Sequence, residues 1–385
     1  MTKVVLFTSF FRPGWKGGGP IRSTDEIIRT RPSDVDLLVV TRDRDLGDEK
    51  PYPGLTDQIV PHEGAQVLYV DIASPRSMIS MLRVLRRAKP DVVITNGFFE
   101  PYFAIAPMLL HVSGLLGARL VLSPRGEFSP GALALKATKK QRYLGVARPL
   151  LSRRSISWLT TGPRETRELR VLFPHARIHE AQNTRGNAPA EKVTHSEDNA
   201  RLVFISRISP KKNVHLGLAA IRQLGDSGVT FDIYGPLEDQ EYWAAQCQPL
   251  IDRMPPGVNV NYRGSLAPHE VGETFAKYDA FVFPTLGENF GHVVHESLAV
   301  GCPVVAPDTT PWTPVLQKGA GWVLPLPDEQ SLTFTLQAIA ASSAAQRTTW
   351  KQNALDAYAR WHHEQPEISA LQIVVGAAPQ SGAHA

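Results

Sequence analysis

The sequence has 385 residues, 43% of them hydrophobic, with two cysteines and a formal net charge of +4. This length predicts two domains, each with a hydrophobic core of its own. Two cysteines without CxxC or Cys/His spacing exclude a disulfide framework and a zinc finger, and no apolar run reaches the roughly 18 residues of a transmembrane helix.

The start of the chain, MTKVVLFTSFF, is too short for a signal peptide and leads into a Gly/Pro-rich loop, so we expect a cytoplasmic protein. Residues 1–190 carry 28 Lys and Arg against 17 Asp and Glu, a net +11, and the remainder carries −7. Within the first half, residues 136–155 contain seven cations and no acid. That stretch fits a solvated helix face, a surface for anionic lipid or a phosphate-bearing substrate, or a nucleic-acid contact.

Short β-branched runs alternate with helix-like segments along the chain, which predicts βαβ units and parallel sheets. The first series of predicted strands spans 3–9, 35–41, 65–72, 91–96, 118–123 and 155–160. The second series spans 201–206, 229–235, 258–264, 279–284, 302–307 and 321–326. We therefore predict an α/β fold of two Rossmann-like, doubly wound parallel-sheet domains.

The predicted domain boundaries follow changes in composition. Residues 1–185 form the N-terminal domain, and the polar segment 186–200 is the linker. Residues 201–360 form the C-terminal domain, and 361–385 form a C-terminal segment that can return to the N-terminal domain and ends in a frayed tail. Ligands of such sheets bind beyond the carboxyl ends of the strands, so we expect the site in a cleft between the two domains.

The loop after the first predicted strand contains three glycines, Gly17, Gly18 and Gly19, before Pro20 and a helix. Glycines allow the backbone to approach a ligand closely, and a helix N-terminus offers free amides. The spacing is neither G-x-G-x-x-G nor a Walker loop, so neither a dinucleotide site nor an ATP site is predicted. A merely flexible loop is the alternative.

The loop after the first strand of the second half, ISRISPKKN, places Arg207 and Lys212 around a proline turn. Both side chains can point into one pocket at the carboxyl end of the strand. A forked guanidinium together with an ammonium suits a diphosphate. Taken alone, the pair also fits ordinary surface charge.

Two glutamates, Glu288 and Glu296, lie eight positions apart across a loop that enters a helix. One carboxylate can accept two hydrogen bonds from a vicinal diol, so two carboxylates can hold two sugars. The amides of Asn289, Phe290 and Gly291 at the helix start can bind a phosphate or sugar oxygen. Two sugars joined by a diphosphate would use all of these groups, which predicts a sugar nucleotide as ligand.

The stretch PTLGENFGHVVHESLAVGCPVVAPD (284–308) resembles the E-x7-E signature of glycosyltransferase family 4. These are group 1 retaining glycosyltransferases with the GT-B fold, in which two Rossmann-like domains face each other across a cleft. SRISPKKN, YGPLEDQEYW, SPRGEFSPGALALK and the early GGGP fit the same family in the same order. The resemblance therefore covers nearly the whole chain.

The resemblance implies a role for each of these residues. Glu288 would hold the hydroxyls of the donor sugar, and Glu296 the ribose diol. Arg207 and Lys212 would bind the diphosphate leaving group, and the GGGP loop would close over the donor. Members of the family need no metal or other cofactor and transfer with retention, by front-face attack in which the leaving phosphate helps to deprotonate the acceptor. Leaving-group charge stabilised by fixed cations agrees with that mechanism.

Many relatives have a histidine at the end of a strand in the N-terminal domain. The equivalent strand ends here, VITNGFF and VLSPRGEF, offer Asn96, Arg125 and Glu127 but no histidine. We take these three residues as acceptor-side candidates. An internal Arg/Glu pair that steadies the loop is the alternative.

Two further pairs of residues near the E-x7-E signature could belong to a metal site or a sugar pocket. His292 and His295 lie three positions apart without a third ligand at suitable spacing, so we predict helix-surface or packing roles, not a metal. Phe290 and Trp312 could line a sugar pocket, but we predict packing in the core.

Three other functions are weighed against this one. A metal-dependent transferase would use an Asp-x-Asp pair, but DVD (34–36) precedes a strand and DRD (43–45) lies in a charged loop typical of solvated surface. A sugar-nucleotide epimerase of the same fold would release no glycosylated product. A non-catalytic sugar-nucleotide-binding partner subunit would explain the missing histidine but not the complete donor motifs.

The N-terminal half usually holds the acceptor in this architecture, and its charge of +11 suggests an anionic or membrane-borne one. We therefore predict transfer of a hexose-type sugar from a nucleotide diphosphate sugar to a saccharide, linked to polyprenyl diphosphate. This reaction would serve bacterial surface or exopolysaccharide assembly, with peripheral contact at the cytosolic membrane face and no nucleic-acid partner.

Overall fold

The computed structural model of the protein describes residues 1–134, 137–151, 156–181, 190, 193, 197–325, 328–365 and 369–376. The chain forms two compact units: unit 1 is Met1–Thr184 with Glu367–Ala385, and unit 2 is Arg185–Pro366. Several predictions fall outside the described residues. They concern most of the linker, the tail beyond residue 376, and three cations of the basic stretch, Lys136, Arg153 and Arg154.

Unit 1 is built on one eight-stranded sheet. Its strands are β1 (Thr2–Thr8), β2 (Val35–Arg42), β3 (Ile59–His62), β4 (Ala65–Val70), β5 (Val92–Asn96), β6 (Arg119–Ser123), β7 (Ile156–Thr160) and β8 (Arg177–Glu180). Their spatial order is β3-β4-β2-β1-β5-β6-β7-β8, and every pairing is parallel except that of β3 with β4. The two strands that sequence patterns missed, β3 and β8, are four-residue edge strands with polar or proline-containing sequences, which carry little periodic signal.

Alternate residues of the strands are buried on opposite sides of this sheet, because helices cover both faces. Val5 and Phe7 of β1 belong to one core cluster, and Val4 and Leu6 belong to the other. Burial on both faces explains the continuous apolar runs of these strands. The helices up to residue 172 are α1 (Gly19–Arg29), α2 (Pro75–Ala88), α3 (Ala106–Val112), α4 (Pro130–Ala134), α5 (Ala137–Leu151) and α6 (Pro163–Leu172), with a π-helical turn, Pro101–Ile105, before α3.

Unit 2 is built on a six-stranded, wholly parallel sheet. Its strands are β9 (Arg201–Ile205), β10 (Thr230–Tyr234), β11 (Asn259–Gly264), β12 (Ala280–Val282), β13 (Val304–Pro307) and β14 (Gly321–Leu324). Its helices are α7 (Val214–Arg222), α8 (Gln240–Tyr242), α9 (Gln248–Ile251), α10 (Glu270–Ala276), α11 (His292–Ala299), α12 (Thr313–Val315), α13 (Glu329–Ala340) and α14 (Ala344–Glu364). Shorter turns are the 3-10 turn Pro210–Lys212 and the π-helical turns Trp243–Cys247 and Leu316–Ala320.

The chain winds outward from the middle of each sheet in both directions. In unit 2 the spatial order is β11-β10-β9-β12-β13-β14, so successive strands run one way from β9 and then the other way from β12. In unit 1 the same reversal falls between β1 and β5. Loops at the carboxyl ends of the two strands diverge at such a reversal, which leaves a crevice for a ligand.

The last described helix, α15 (Ala370–Gly376), belongs to unit 1. Its buried residues Leu371 and Val374 join the core cluster that contains Val4 and Leu6 of β1. Among the described residues, no helix is both long and apolar enough to cross a membrane.

Candidate donor site

The loops that follow β9 and β12 are joined at the reversal point of unit 2. The amide of Leu286 donates to the carbonyl of Lys211 at 3.0 Å, and the hydroxyl of Thr285 donates to the same carbonyl at 3.3 Å. The side-chain amide of Asn213 donates to the carbonyl of Pro284 at 3.1 Å. These bonds hold together two loops that are more than seventy residues apart in sequence.

An ion pair between Lys212 and Glu288 occupies the junction of these loops. The Nζ of Lys212 donates to Oε1 of Glu288, and the two side chains are only 9% and 11% exposed. The Thr285 hydroxyl lies 3.3 Å from the same carboxylate oxygen, and the ammonium lies 5.2 Å from the centre of the Phe283 ring. Two of the residues predicted from the sequence to bind different parts of one ligand are therefore in direct contact.

Both members of this pair have lowered pKa values. Burial lowers the pKa of the Lys212 ammonium, Glu288 raises it, and the like charges of Arg207 and Lys211 lower it further. Burial raises the pKa of the Glu288 carboxyl, but the attraction of the three cations outweighs burial and the pKa lies below its ordinary value. Three cations and two carboxylates, Glu288 and the Glu238 partner of Arg207, leave an excess of one positive charge among these five groups, which favours an anion.

Arg207 lies in the same loop and pairs with a different acid. Its Nη1 lies 2.6 Å from Oε1 of Glu238, and the two side chains are 35% and 33% exposed. The amide of Ile208 donates to the carbonyl of Pro236 at 2.9 Å, which ties the loop after β9 to the loop after β10. The guanidinium is thus accessible and is held by a partner that an incoming anion would have to displace.

The predicted amide cluster, Asn289, Phe290 and Gly291, lies between Glu288 and the first residue of α11. The carbonyl of Phe290 accepts a hydrogen bond from the indole Nε1 of Trp312 at 2.5 Å. That bond attaches the entry of α11 to the core, because Trp312 is only 2% exposed.

Glu296 is the fifth residue of α11 and is half-buried. Tyr358 of α14 has a raised pKa, first because it is buried and second because the Glu296 carboxylate acts on it. The carboxylate therefore lies near enough to Tyr358 to influence its pKa. Its predicted role in holding a ribose diol stays a prediction.

The histidines of α11 belong to an aromatic cluster. The Nε2 of His295, which is 4% exposed, lies 2.7 Å from the hydroxyl of Tyr358, and the ring of His292 packs edge-on against Phe290 at 4.8 Å. The expected packing roles are confirmed for both histidines, and burial of Trp312 in the core confirms its packing role. Among the described residues, no group of three His, Cys, Asp or Glu is arranged to hold a metal ion.

The three acceptor-side candidates lie together at the carboxyl ends of β5 and β6 in unit 1. Arg125 donates from Nε to the Oδ1 of Asn96. The carboxylate of Glu127 accepts from the amides of Phe98 at 2.7 Å and Phe99 at 3.0 Å. Glu127 therefore steadies the loop after β5, and the role of all three residues toward an acceptor stays a prediction.

Sequence patterns missed Glu165, which organises the same region. It is 3% exposed and accepts hydrogen bonds from the amide of Gly126 and from both the amide and the hydroxyl of Thr161, at 2.7 and 2.8 Å. Burial lowers the pKa of the Arg125 guanidinium, and the Glu165 charge partly offsets this effect. The available signal was an acid in the first turn of α6, which equally fits an ordinary helix cap.

The glycine loop enters α1 as expected. Gly18 caps the helix with φ of +66°, a conformation that side chains with a Cβ rarely adopt. A Cβ on Gly17 would lie 2.8 Å from the Cβ of Phe10. Gly17 therefore meets a steric requirement of this loop, and Gly18 meets a backbone requirement. The role of Gly17, Gly18 and Gly19 toward a ligand stays a prediction.

The expectation that DRD lies on solvated surface is wrong. Asp43 and Asp45 are 1% and 4% exposed. The carboxylate of Asp45 accepts from the amides of Trp15 at 2.8 Å and Lys16 at 3.0 Å, and that of Asp43 accepts from the hydroxyl of Thr56 at 2.8 Å. The backbone amides of the glycine loop bring Asp45 inside, because a buried carboxylate is tolerated only where such donors satisfy it.

Comparison with known proteins gives a family match within unit 2. Residues 188–356, wholly within unit 2, match the family model described as glycosyl transferases group 1. A segment of 146 residues is 27% identical to WcaL of Salmonella typhimurium, described as a colanic acid biosynthesis glycosyltransferase. That segment is 35% of this chain and 34% of WcaL, so the match spans about a third of the relative.

Two solved structures resemble the chain over nearly its whole length. Sucrose-phosphate synthase from Thermosynechococcus elongatus superposes with a TM-score of 0.71 at 16% identity, covering 97% of this chain and 98% of that one. HepE of Anabaena, solved with UDP and glucose, gives 0.69 at 17% identity, covering 98% and 99%.

The fold is GT-B. The α/β class with two parallel-sheet domains predicted from the sequence is confirmed.

Proposed function

We propose that this chain is a retaining, metal-independent glycosyltransferase of family 4. It would move a hexose-type sugar from a nucleotide diphosphate sugar to a saccharide acceptor. The observation that carries the proposal is the buried Lys212–Glu288 pair at the reversal point of unit 2, where the charges of Arg207 and Lys211 also act on Glu288. The match of unit 2 to group 1 glycosyl transferases and the UDP bound to HepE support a nucleotide sugar as the donor.

In this proposal the diphosphate binds Arg207 and Lys212, and both cations stabilise the charge that develops on the leaving group. Glu288 accepts hydrogen bonds from the donor sugar, and Glu296 accepts them from the ribose. Because Lys212 is already held by Glu288, the ammonium needs little reorganisation when the donor binds. No protein nucleophile is required, since the departing phosphate accepts the proton of the acceptor hydroxyl.

The amides of Asn289, Phe290 and Gly291 would bind a phosphate or sugar oxygen of the same donor. We also propose a role in donor binding for the loop of Gly17, Gly18 and Gly19. These assignments rest on the sequence pattern and on the location of each segment at the carboxyl end of a strand.

We propose that unit 1 binds the acceptor, with Asn96, Arg125 and Glu127 as the residues nearest to it. The acceptor would be a saccharide on polyprenyl diphosphate, used in bacterial surface or exopolysaccharide assembly at the cytosolic face of the membrane. The similarity to WcaL supports a place in polysaccharide biosynthesis. The excess of cations in residues 1–190 supports an anionic acceptor.

The test is a thermal-shift panel of UDP-, GDP-, ADP- and dTDP-sugars, without added metal, on the full chain and on Glu296→Ala. At 100 times the Kd, a bound donor stabilises the protein by about 2.7 kcal/mol, which is roughly 5–10 °C for a unit of this size. We expect one nucleotide class to give this shift and Glu296→Ala to abolish it. Glu273→Ala, an exposed glutamate of α10, is the matched control and should retain the shift.

Absence of a shift with all four classes would contradict the proposed donor site. Incubation of the stabilising donor with a saccharide acceptor then separates transfer from epimerisation. Transfer gives a glycosylated product with the donor's anomeric configuration retained. An altered sugar nucleotide without such a product would instead identify an epimerase.

A further inference from the structure

One face of unit 1 concentrates exposed apolar side chains. Helices α2, α3 and α5 pack on the same side of the sheet, since Met81, Met108 and Leu144 belong to one core cluster. Of the twelve exposed large hydrophobic side chains among the described residues, six lie on these helices or on the turns adjoining α3: Ile79, Leu82, Tyr102, Leu109, Leu115 and Val146. One helical layer therefore carries half of the exposed large hydrophobic side chains among the described residues.

A pocket of about 420 Å³ opens on this layer, between the end of α2 and the turn after α3. Its apolar lining includes Leu82, Leu85, Leu115 and Leu116, and its polar lining includes Arg86 and Lys89. The pocket lies wholly within unit 1, and it is separate from Asn96, the acceptor-side candidate at the end of β5. An apolar chamber with two cations beside it suits a molecule with a hydrocarbon chain and an anionic head.

The charge of α2 also suits a molecule with an anionic head. Residues 75–90 contain five cations, all exposed, and no acid: Arg76, Arg83, Arg86, Arg87 and Lys89. None of the five forms an ion pair within the part of the chain that the structure describes. Ile79, Leu82, Arg83 and Arg86 recur at the three- and four-residue spacing of one helix stripe. Apolar and cationic side chains thus share one surface.

The basic stretch 136–155 is less well suited to this role. Within α5, Lys140 is already engaged, since its Nζ donates to the carbonyl of Ala132 at 2.6 Å and lies 5.0 Å from the centre of the Phe99 ring. The exposed large hydrophobic side chain of α5 is Val146. A nucleic acid would use the cations of α2 but would leave the leucine-lined pocket empty. An anionic lipid uses both features.

We propose that the outer face of α2, together with the leucine-lined pocket, is a docking surface for an anionic phospholipid bilayer. Headgroup phosphates would contact Arg86 and Lys89, and an acyl chain would enter the pocket beside Leu82 and Leu115. This inference rests on the proposed function only where that function includes a membrane-borne acceptor. It does not depend on the donor site or on catalysis.

The experiment is co-sedimentation of the full chain with vesicles, at low salt and without nucleotide sugar or acceptor. One set of vesicles is phosphatidylcholine, and the other is phosphatidylcholine mixed with phosphatidylglycerol. We expect binding to the anionic vesicles alone, weakened by added salt. The paired substitution Arg86→Gln with Lys89→Gln should reduce partitioning by about 25-fold, at about fivefold for each cation.

The apolar half of the surface has its own variant, Leu82→Ser with Leu115→Ser. These side chains are 36% and 65% exposed, so thermal unfolding should hardly change while partitioning falls by at least about tenfold. Matched controls are Lys139→Gln with Arg142→Gln on α5 and Arg253→Gln with Lys277→Gln in unit 2, all exposed cations. The α5 pair should lose less binding than the α2 pair, and the unit 2 pair should lose none.

The inference is overturned if the unaltered chain stays in solution with anionic vesicles. It is also overturned if both the Arg86/Lys89 variant and the Leu82/Leu115 variant bind as well as the unaltered chain. It is also overturned if the α5 pair alone abolishes binding. Because no substrate is present, either result leaves the donor thermal-shift panel free to succeed or fail by itself.

Discussion

Removing the charge of Glu288 tests the buried ion pair of the donor site. In Glu288→Gln the Lys212 side chain, which is 9% exposed, loses the carboxylate bonded to it. Removing one partner of a buried pair costs about 3–5 kcal/mol. We take about 3 kcal/mol, because the Phe283 ring still faces the ammonium at 5.2 Å. For a unit of this size the melting temperature should fall by roughly 6–12 °C.

Tryptophan fluorescence can follow this unfolding, since five of the seven tryptophans, Trp243, Trp312, Trp322, Trp350 and Trp361, lie in unit 2. The double variant Lys212→Met with Glu288→Gln removes both charges. It should be more stable than the sum of the single variants predicts, by about 2 kcal/mol. Glu238→Gln is the control, because its pair with Arg207 is about one-third exposed and such pairs contribute about 0–1 kcal/mol.

The pH dependence has a definite sign. The pKa of Glu288 is lowered in the folded protein, so its stabilisation is present above the unfolded pKa of about 4.3 and is lost as the pH falls through the folded value. The difference between the unaltered chain and Glu288→Gln should therefore be constant near neutrality and shrink in acid. A cost below about 0.5 kcal/mol, or strictly additive single variants, would refute the account of a buried, coupled pair.

Three further outcomes follow from single contacts. Glu238→Gln frees the Arg207 guanidinium from its partner at 2.6 Å, so UDP or another matching nucleoside diphosphate should bind about two- to fivefold tighter by calorimetry; unchanged or weaker binding would contradict this. Glu165→Gln weakens three charge-assisted hydrogen bonds and should cost about 2 kcal/mol in urea unfolding of unit 1, and a neutral effect would contradict it. Gly235→Ala places a Cβ 1.8 Å from the carbonyl of Ser206 at φ of +139°, so we expect little folded protein at 37 °C, and a normal circular dichroism spectrum would contradict this.

Local patterns were sufficient for much of the architecture. The alternation of apolar runs with helical segments predicted all six strands of unit 2. The four inner strands, β9, β10, β12 and β13, are mostly apolar because both of their faces are buried. The edge strands β3 and β8 were not predicted, since IVPH and RIHE contain no continuous apolar run. Their pairing depends on a neighbouring strand that supplies hydrogen bonds, which no local window of sequence contains.

The candidate site divides in the same way. The sequence pointed to Lys212 and Glu288 separately, as residues of two loops at the ends of two strands. Their direct bond across 76 positions follows from the strand order, which makes β9 and β12 neighbours. The DRD motif is the opposite case. Its charges suggested solvent, and only the packed amides of Trp15 and Lys16 show why Asp45 is buried.

The sequence by itself determined the fold class, the strand series of unit 2 and the loops where charged residues gather. These features depend on periodicity and turn chemistry, which act over a few residues. The tertiary structure decided which charges meet, which are buried and which stay exposed. Lys212 and Asp45 are inside and the cations of α2 are outside because desolvating a charge is costly, and only contacts between distant segments supply the partners that offset the cost.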